Sequence, residues 1–383
     1  MVEPEGYVVT PGLAAGTAFA LPAPSLRVFQ RAVACLAKLG RDAALILRAE
    51  ELVLHGADDA HSVAMQFAFR RKFFQATPAS QAAKAPRSEA CIVVGARALL
   101  MALRGAQNRA TECLIVGLSA ASEGEPRLVL EFSARFGGTV RHRVPLLDGE
   151  AFLPGEPVVG PHAAALSAGL LARVLDHCTP PVRTGSGGCE EVTLAAAPPE
   201  GLRVRSYDLL GNNGMGNAGG GAQGHRTDVL IQQSDLEACS LNSSGVEATF
   251  SGRGLRDFAK AADAYSRDLE AAGLVDGNLL LELRFGAEGG PVVCRMAVAA
   301  DATVRPVQDF SAVLIISTRE QPGEGGATQG NGAHVPPSAP PPCTQPQSGR
   351  RPQPRQGPKR RAVVPPQAGE TFDAFPDHHG SSQ

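Results

Sequence analysis

Three titratable residues lie close together in the sequence, Asp58, Asp59 and His61. Carboxylates and an imidazole at such spacing are ligands with which a divalent cation could activate water for phosphodiester cleavage, so the cluster is compatible with a metal-dependent nuclease. The same residues also fit a tight turn, because Asp side chains hydrogen-bond to their own backbone there. We favour the turn, since two adjacent acids at the entry to a strand are common turn formers. The sequence therefore predicts no catalytic residue.

Two other motifs have a chemical interpretation that their surroundings do not support. Gly214-Met-Gly-Asn-Ala-Gly219 matches GxGxxG, but a dinucleotide site needs these glycines to open a helix. Here a strand-like Arg-Thr-Asp-Val-Leu-Ile follows instead. His378-His379 has no neighbouring residues that would complete a metal site, and no GxSxG motif occurs. We predict no cofactor, no metal and no enzyme.

The composition excludes several classes of protein. The formal net charge of −2 does not indicate a uniformly basic nucleic-acid binder, so any DNA-facing charge must be local. The eight cysteines are scattered without a CxxC pair, which is typical of buried thiols in a reducing compartment. The acidic start Met-Val-Glu-Pro-Glu is unlike a signal peptide, and no apolar run approaches the roughly 20 residues of a membrane span. We expect a soluble intracellular protein without membrane contact.

The helix predicted at Ser25–Leu39 has an apolar face and a basic face. Its apolar positions, within an arc of roughly 80°, are Leu26, Phe29, Val33 and Leu36. Its basic positions, within roughly 40° of one another on the opposite side, are Arg27, Arg31 and Lys38. No acid interrupts the basic stripe.

The helix predicted at Leu255–Leu269 carries basic residues at the same spacing. They are Arg256, Lys260 and Arg267, each 229 positions after its counterpart in the first helix (27 to 256, 31 to 260, 38 to 267). Asp263 lies within this second stripe. A third predicted helix, Ala96–Gly105, places Arg97 and Arg104 on one side. A solvated surface normally mixes charges of both signs, so repeated basic stripes favour helices that face a common polyanion through its phosphates.

The elements around these helices indicate an α+β protein rather than a doubly wound one. Short β-type runs dominate, and many alternate apolar and polar residues, as in Leu128–Ala134. Only one further helix is predicted, at Leu166–His177. At 383 residues the chain is long enough for two domains and a tail. A Pro/Gly-rich stretch near residues 154–161 separates the domains that we predict at 25–153 and 154–319, after an N-terminal extension at 1–24. A Gly/Asn-rich loop spans 211–224, and the Pro/Gly/Gln-rich residues 320–383 are predicted to be a disordered tail.

These elements resemble a known family in their order and spacing. The stretch Arg27-Val-Phe-Gln-Arg-Ala-Val-Ala-Cys-Leu-Ala-Lys-Leu-Gly40, with Ala60-His-Ser-Val-Ala-Met-Gln-Phe67 and Lys72-Phe-Phe-Gln75, resembles the first domain of the Rad-nine-type cell-cycle checkpoint control proteins. Phe132-Ser-Ala-Arg-Phe-Gly-Gly-Thr-Val-Arg141, Leu202-Arg-Val-Arg-Ser-Tyr-Asp208 and Gly245-Val-Glu-Ala-Thr-Phe250 resemble later strands of that family. The family is related to proliferating cell nuclear antigen (PCNA), and the resemblance covers about residues 25–319.

The resemblance implies a two-domain PCNA-like clamp fold, with four inner helices and outer antiparallel sheets. It implies a DNA damage checkpoint subunit of the heterotrimeric nine-one-one sliding clamp, which encircles duplex DNA without sequence specificity. The implied partners are two other clamp subunits, an ATP-driven clamp loader, and checkpoint and repair proteins. The implied DNA-facing residues are Arg27, Arg31, Lys38, Arg97, Arg104, Arg256, Lys260 and Arg267.

The resemblance also implies that two edge strands, Thr139–Leu146 and Arg226–Gln233, pair with neighbouring subunits, because an unpaired edge is a template for another chain. The residues that we expect at these contacts are Thr139, Val140, Arg141, Val144, Asp228, Leu230 and Gln232.

The tail contains three kinds of candidate site. Thr328, Thr344 and Ser382 each precede Gln, as kinases of the phosphatidylinositol-kinase-like class favour. The basic run with Arg350, Arg351, Lys359, Arg360 and Arg361 predicts nuclear import, and hence a nuclear protein. Phe372 and Phe375 are candidates for docking in a hydrophobic groove.

Two features depart from the family pattern. The N-terminus is about a dozen residues longer, and no clear acid-flanked serine of the kind that binds a phosphopeptide-reading partner occurs in the tail. Two alternative functions stay open. One is a β-rich protein-interaction module that does not encircle DNA, and the other is a metal-dependent 3′–5′ exonuclease at Asp58 and Asp59.

Overall fold

A computed structural model describes residues 18–48, 50–74, 90–104, 111–119, 125–135, 138–149, 151–153, 160, 162–179, 191–197, 199–207, 226–240, 245–275, 278–286, 290–300 and 303–318. The predicted loop at 211–224 and the predicted tail at 320–383 lie outside these residues. Contacts divide the chain into two compact units, residues 1–325 and 326–383, and every described residue belongs to the first.

Eighteen strands and four α-helices occur among the described residues. The strands are β1 (Ala18–Pro22), β2 (Asp42–Leu47), β3 (Leu52–Ala57), β4 (Val63–Phe69), β5 (Ala90–Gly95), β6 (Thr111–Leu118), β7 (Arg127–Ala134), β8 (Thr139–Pro145), β9 (Ala163–Ser167), β10 (Glu191–Ala197), β11 (Gly201–Tyr207), β12 (Arg226–Gln232), β13 (Ala238–Ser240), β14 (Val246–Ser251), β15 (Leu279–Phe285), β16 (Val292–Ala300), β17 (Thr303–Pro306) and β18 (Phe310–Ile316). The helices are α1 (Ala23–Leu39), α2 (Ala96–Arg104), α3 (Ala168–Cys178) and α4 (Gly252–Ala271).

The chain consists of two halves with the same order of elements. In each half a strand leads into a helix, several strands follow, and a second helix precedes the last strands. The strands form three antiparallel sheets: β1-β6-β7-β8, β12-β11-β10-β14, and a central sheet in the order β13-β9-β15-β16-β18-β4-β3-β2-β5, with β17 beside β16. By this order α1 corresponds to α3, α2 to α4, β4 to β12, and β18 to β8.

The two halves are joined in the central sheet, where β4 of the first half pairs with β18 of the second. The ladder runs from Phe310 opposite Phe69 to Ile316 opposite Val63. Aromatic rings fill the space beneath it, with centroids 5.5 Å apart for Phe69 and Phe310 and 5.5 Å apart for Tyr265 and Phe310. Because buried aromatic rings contribute large apolar areas, this packing makes one hydrophobic core of both halves.

Local sequence explains where α1 begins and ends. Pro22 precedes the helix and Pro24 lies in its first turn, where a missing N–H costs no hydrogen bond. The helix ends at Gly40, whose amide donates to the Leu36 carbonyl. A side chain at Gly40 would meet the Ala57 carbonyl oxygen at 2.1 Å, so only glycine lets the chain pass this close to β3.

The predicted fold class is confirmed, and each predicted helix is present with ends that differ by at most three residues. The extension predicted at 1–24 needs correction, because Ala18–Pro22 form β1 and pair with β6 from Ala18–Gly117 to Pro22–Cys113. Pro22 and Pro24 made this five-residue strand hard to predict from the sequence. The prolines mark the start of a helix, and the apolar residues before them are available for strand pairing.

Candidate nucleic-acid interface

The four helices form one layer, in which neighbours pack in the order α2, α1, α4, α3. Each buries an apolar face, and in α1 this face includes Val28, Phe29 and Leu36. The middle pair runs antiparallel, since Arg31 lies beside Asp268 while Lys38 lies near Arg253 at the start of α4. Charged residues therefore occupy the exposed side of the layer.

The helices of the first half expose only positive charge. Arg27, Arg31 and Lys38 of α1 are exposed, as are Arg97 and Arg104 of α2. Neither helix contains an acid. The apolar residues between these cations, Leu99 and Leu103 among them in α2, are buried and fix which side faces solvent. This part of the layer can attract a polyanion.

The helices of the second half carry both signs. Lys260 of α4 forms an ion pair of 2.6 Å with Asp176 of α3. Arg256 is half-buried, and its Nη1 donates to the carbonyl oxygen of Thr179 at 2.8 Å and to its Oγ1 at 3.1 Å. These bonds satisfy a carbonyl just beyond the end of α3, so Arg256 stabilises the packing of the two helices. Asp263 adds a carboxylate beside Gly169 at the start of α3.

One cation of the first half is also bound to an acid. Nε of Arg31 donates to Oδ2 of Asp268, and this bond links α1 to α4. Lys38 borders a cavity of about 200 Å³ between the same helices, together with Arg253 and Asp257.

All eight predicted DNA-facing residues therefore lie on the helix layer, and seven of them are exposed. Half-buried Arg256 is the exception. Sequence reasoning missed Asp176 and Asp268, because nothing in the sequence indicates which distant helices become neighbours. The constant spacing of 229 positions between the basic residues of α1 and α4 does not reflect a structural repeat. The order of elements makes α3, and not α4, the counterpart of α1.

The two predicted edge strands are both outermost in their sheets. β8 ends the sheet β1-β6-β7-β8, and β12 ends the sheet β12-β11-β10-β14. The predicted contact residues Thr139, Val140, Arg141, Asp228, Leu230 and Gln232 are exposed. Val144 differs, because its side chain is buried in the core opposite Leu128 and is not available to a partner. Val140 is 57% exposed although it is apolar, and Leu230 is 39% exposed.

The acids at 58 and 59 shape a turn between β3 and β4. Asp58 Oδ1 accepts hydrogen bonds from the amides of Ser62 and Val63, at 2.7 and 2.9 Å, and its Oδ2 accepts one from Ser62 Oγ at 2.6 Å. Asp59 lies 3.6 Å from Arg41 and is largely exposed. Among the described residues, no group of three His, Cys, Asp or Glu side chains could hold a metal ion. The three hydrogen bonds commit the Asp58 carboxylate to its own turn.

The same turn borders a cleft of about 550 Å³ on the side of the central sheet away from the helices. His61 adopts a left-handed backbone with φ of 52°, and its ring lies 4.2 Å from that of Phe152, which follows β8. His55 lines the cleft but is 2% exposed. Burial lowers its pKa to about 4, because the charged imidazolium loses its hydration. The Nε2 atom of His55 has no hydrogen-bond partner within the described residues.

Other predicted sites lie outside the described residues. These are Thr328, Thr344 and Ser382, the basic run from Arg350 to Arg361, and Phe372 and Phe375. Within the described part of the chain, no helix is both long and apolar enough to cross a membrane.

Comparisons with known proteins identify the fold. No protein-family model matches the sequence, and no curated protein matches it. PCNA from Entamoeba histolytica superposes with a TM-score of 0.53 at 13% identity, over 80% of this chain and 99% of that one. In the PCNA2–PCNA3 complex from Sulfolobus tokodaii the TM-score is 0.52 at 12% identity, over 80% and 100% of the chains. For A. fulgidus PCNA with the C-terminal region of FEN-1 bound, the TM-score is 0.51 at 15% identity, over 79% of this chain and 98% of that one. The chain has a PCNA-like clamp fold, as predicted.

Proposed function

We propose that this chain is a non-enzymatic subunit of a ring-shaped sliding clamp that encircles duplex DNA. The observation that carries the proposal is that β8 and β12 are each the outermost strand of a sheet among the described residues. They are the counterparts of β18 and β4, which pair with each other inside the chain. A neighbour of the same fold could therefore extend the sheet at either edge by repeating the internal junction. Repetition of such a head-to-tail contact closes a ring when the rotation fits.

The register of the internal junction predicts the contacts at these edges. We assume that β8 pairs with the neighbour's counterpart of β12 in the register in which β18 pairs with β4. Val140 then lies opposite the neighbour's residue equivalent to Ile231, on the helix side of the sheet. The same register places the residue equivalent to Asp228 opposite Arg143, on the other side. The apolar contact would cover the exposed side chain of Val140. The ion pair would add a second cross-strand contact on the other side of the sheet.

The helix layer supports contact with the DNA backbone. Its first half presents Arg27, Lys38, Arg97 and Arg104 to solvent without an acid on either helix. Such a surface attracts phosphates by charge, and the described helices form no helix-turn-helix that would place a side chain in a groove. Contact of this kind allows movement along the duplex.

The cleft beside His61 and Phe152 supports recruitment of other proteins. One solved neighbour, A. fulgidus PCNA, is bound to the C-terminal region of FEN-1. We extend this kind of partnership to the present chain and take the cleft as the candidate docking site. The cleft combines apolar walls at Val93 and Phe152 with the Nε2 atom of His55, which has no hydrogen-bond partner among the described residues.

The resemblance to the Rad-nine-type proteins makes the proposal more specific. We propose a DNA damage checkpoint role in a heterotrimer that a clamp loader places on DNA, within the nucleus. The Thr-Gln and Ser-Gln sites and the basic run from Arg350 to Arg361 support this role, because a replicative clamp has almost no tail. Checkpoint and repair proteins are the expected partners.

Two measurements on the full chain test the proposal. Native mass spectrometry of the protein purified from its own cells should give a heterotrimer with two partners of similar size. The assembly, loaded on plasmid DNA, should stay on closed circles and leave when the plasmid is linearised, because only a topological link is lost. Equal release from circular and linear DNA would instead favour an interaction module that does not encircle DNA.

A variant of the edge strand β8 tests assembly separately from DNA contact. Val140→Asp should leave the chain folded and abolish the trimer, because it puts a charge at an apolar position of the edge. A trimer that survives this change would argue against pairing through β8.

A further inference from the structure

We propose that the duplex is held on one side of the helix layer, by α1 and α2, and that α3 and α4 contribute little to DNA affinity. The inference rests on the proposed function, since it assumes that the layer faces DNA. It concerns which half of this chain the phosphates contact.

The charges of the two halves differ although the number of basic residues is the same. The first-half helices carry Arg27, Arg31, Lys38, Arg97 and Arg104 and no acid. The second-half helices carry Arg173, Arg253, Arg256, Lys260 and Arg267, together with Asp176, Asp257, Asp263, Asp268 and Glu270. The net charge of the second pair is therefore zero.

Each cation of the second-half helices has either a carboxylate nearby or a hydrogen bond to another residue. Lys260 is paired with Asp176, and Arg256 is bonded to Thr179. Arg253, Arg173 and Arg267 have a carboxylate three or four positions away on the same helix, at Asp257, Asp176 and Asp263. Residues at these spacings are neighbours on a helix surface, about 6 Å apart. A phosphate that approaches one of these cations therefore meets a carboxylate within one Debye length, about 8 Å at physiological salt.

The first half is less compensated. Of its five cations, Arg31 is bound to Asp268 and Lys38 shares a cavity with Asp257, both acids of α4, while neither α1 nor α2 carries an acid of its own. The positive field is therefore strongest on the α1–α2 side, away from α3. Because affinity for a duplex comes from phosphate neutralisation, the DNA should lie towards that side.

Two matched triple variants of the full chain test the inference. Arg27→Gln with Arg97→Gln and Arg104→Gln removes three exposed arginines from the first half. Arg173→Gln with Arg253→Gln and Arg267→Gln removes three exposed arginines from the second half. Binding to a fluorescent duplex of random sequence is measured by anisotropy at several salt concentrations, and circular dichroism checks that each variant is folded.

The first-half triple should weaken binding at least tenfold at about 50 mM salt and reduce the slope of log K against log salt by about 2 to 3, at 0.9 per lost phosphate contact. The second-half triple should weaken binding less than about threefold. A further variant, Asp176→Asn with Asp257→Asn and Asp263→Asn, should strengthen binding, because it uncovers the second-half cations.

The outcomes separate the inference from the function beneath it. Equal losses in both arginine triples, or no gain in the asparagine triple, would overturn the one-sided contact and leave DNA binding intact. A wild-type chain whose binding does not respond to salt, and is unchanged in every variant, would overturn both.

Discussion

Arg31 of α1 donates a hydrogen bond from Nε to Oδ2 of Asp268 on α4, and so ties the first half of the chain to the second. The Arg31 side chain is 45% exposed and the Asp268 side chain 11% exposed, so solvent screens the pair from the Arg31 side. Such pairs typically contribute less than about 1 kcal/mol. The bond therefore matters more for where the guanidinium points than for stability.

Asp268→Asn should release Arg31 towards solvent. We expect tighter duplex binding, with a salt slope steeper by about 0.9, and a free energy of unfolding lower by no more than about 1 kcal/mol. Anisotropy titrations and urea unfolding measure the two effects. Glu270→Gln is the matched control, since it removes the same charge from α4 without breaking a described ion pair. An identical gain in both variants would mean that net charge, and not the released guanidinium, is responsible.

Val140→Asp should prevent assembly and leave the fold unchanged. Val140 is 57% exposed on the edge strand β8, so the charge costs the isolated chain little but would be buried beside a partner strand. Met101→Asp on α2 is the matched control, because Met101 is 63% exposed and belongs to neither edge strand. Sedimentation velocity reports the assembly state. Loss of assembly in the Met101 variant as well would point to a general effect of the charge.

Asp58→Ala and Asp59→Ala should differ in stability. The Asp58 carboxylate accepts three hydrogen bonds in its turn, and its loss should lower the free energy of unfolding by about 1 to 3 kcal/mol. Asp59 is largely exposed and its loss should change stability by less than about 0.5 kcal/mol. Neither change should affect DNA degradation in the presence of Mg²⁺ or Mn²⁺. Degradation by the wild type that both substitutions abolish would establish the nuclease alternative.

His55 should make the protein less stable in mild acid. Burial lowers its pKa from 6.5 to about 4, so the unfolded chain takes up a proton at pH values where the folded chain does not. The resulting loss in the free energy of unfolding is absent above the unfolded pKa of 6.5 and grows as the pH falls from 6.5 towards 4. At pH 5 it amounts to about 2 kcal/mol. Urea unfolding of wild type and His55→Gln at pH 7.5 and pH 5 should show that the variant loses less stability. Equal losses would mean that His55 is not protonated on unfolding.

The sequence predicted the helices well because a period of 3.6 residues is a strong signal over 9 to 20 residues. It missed β1, where a five-residue strand stops at a proline and gives no period to recognise. It also could not reveal that Arg31 meets Asp268, 237 positions away, because packing of the fold decides that contact. The basic stripes were therefore found, but the acids that neutralise part of them were not.

The ladder of seven residue pairs between β4 and β18 has a mechanical consequence. Together with the aromatic rings beneath it, this ladder makes the middle of the molecule resistant to hinge motion, since bending would break hydrogen bonds and open a dry core at once. In the proposed ring, strain should therefore be concentrated at the junctions between chains, where β8 and β12 would join separate molecules. Gaps should open there, and each protomer should move as a stiff unit.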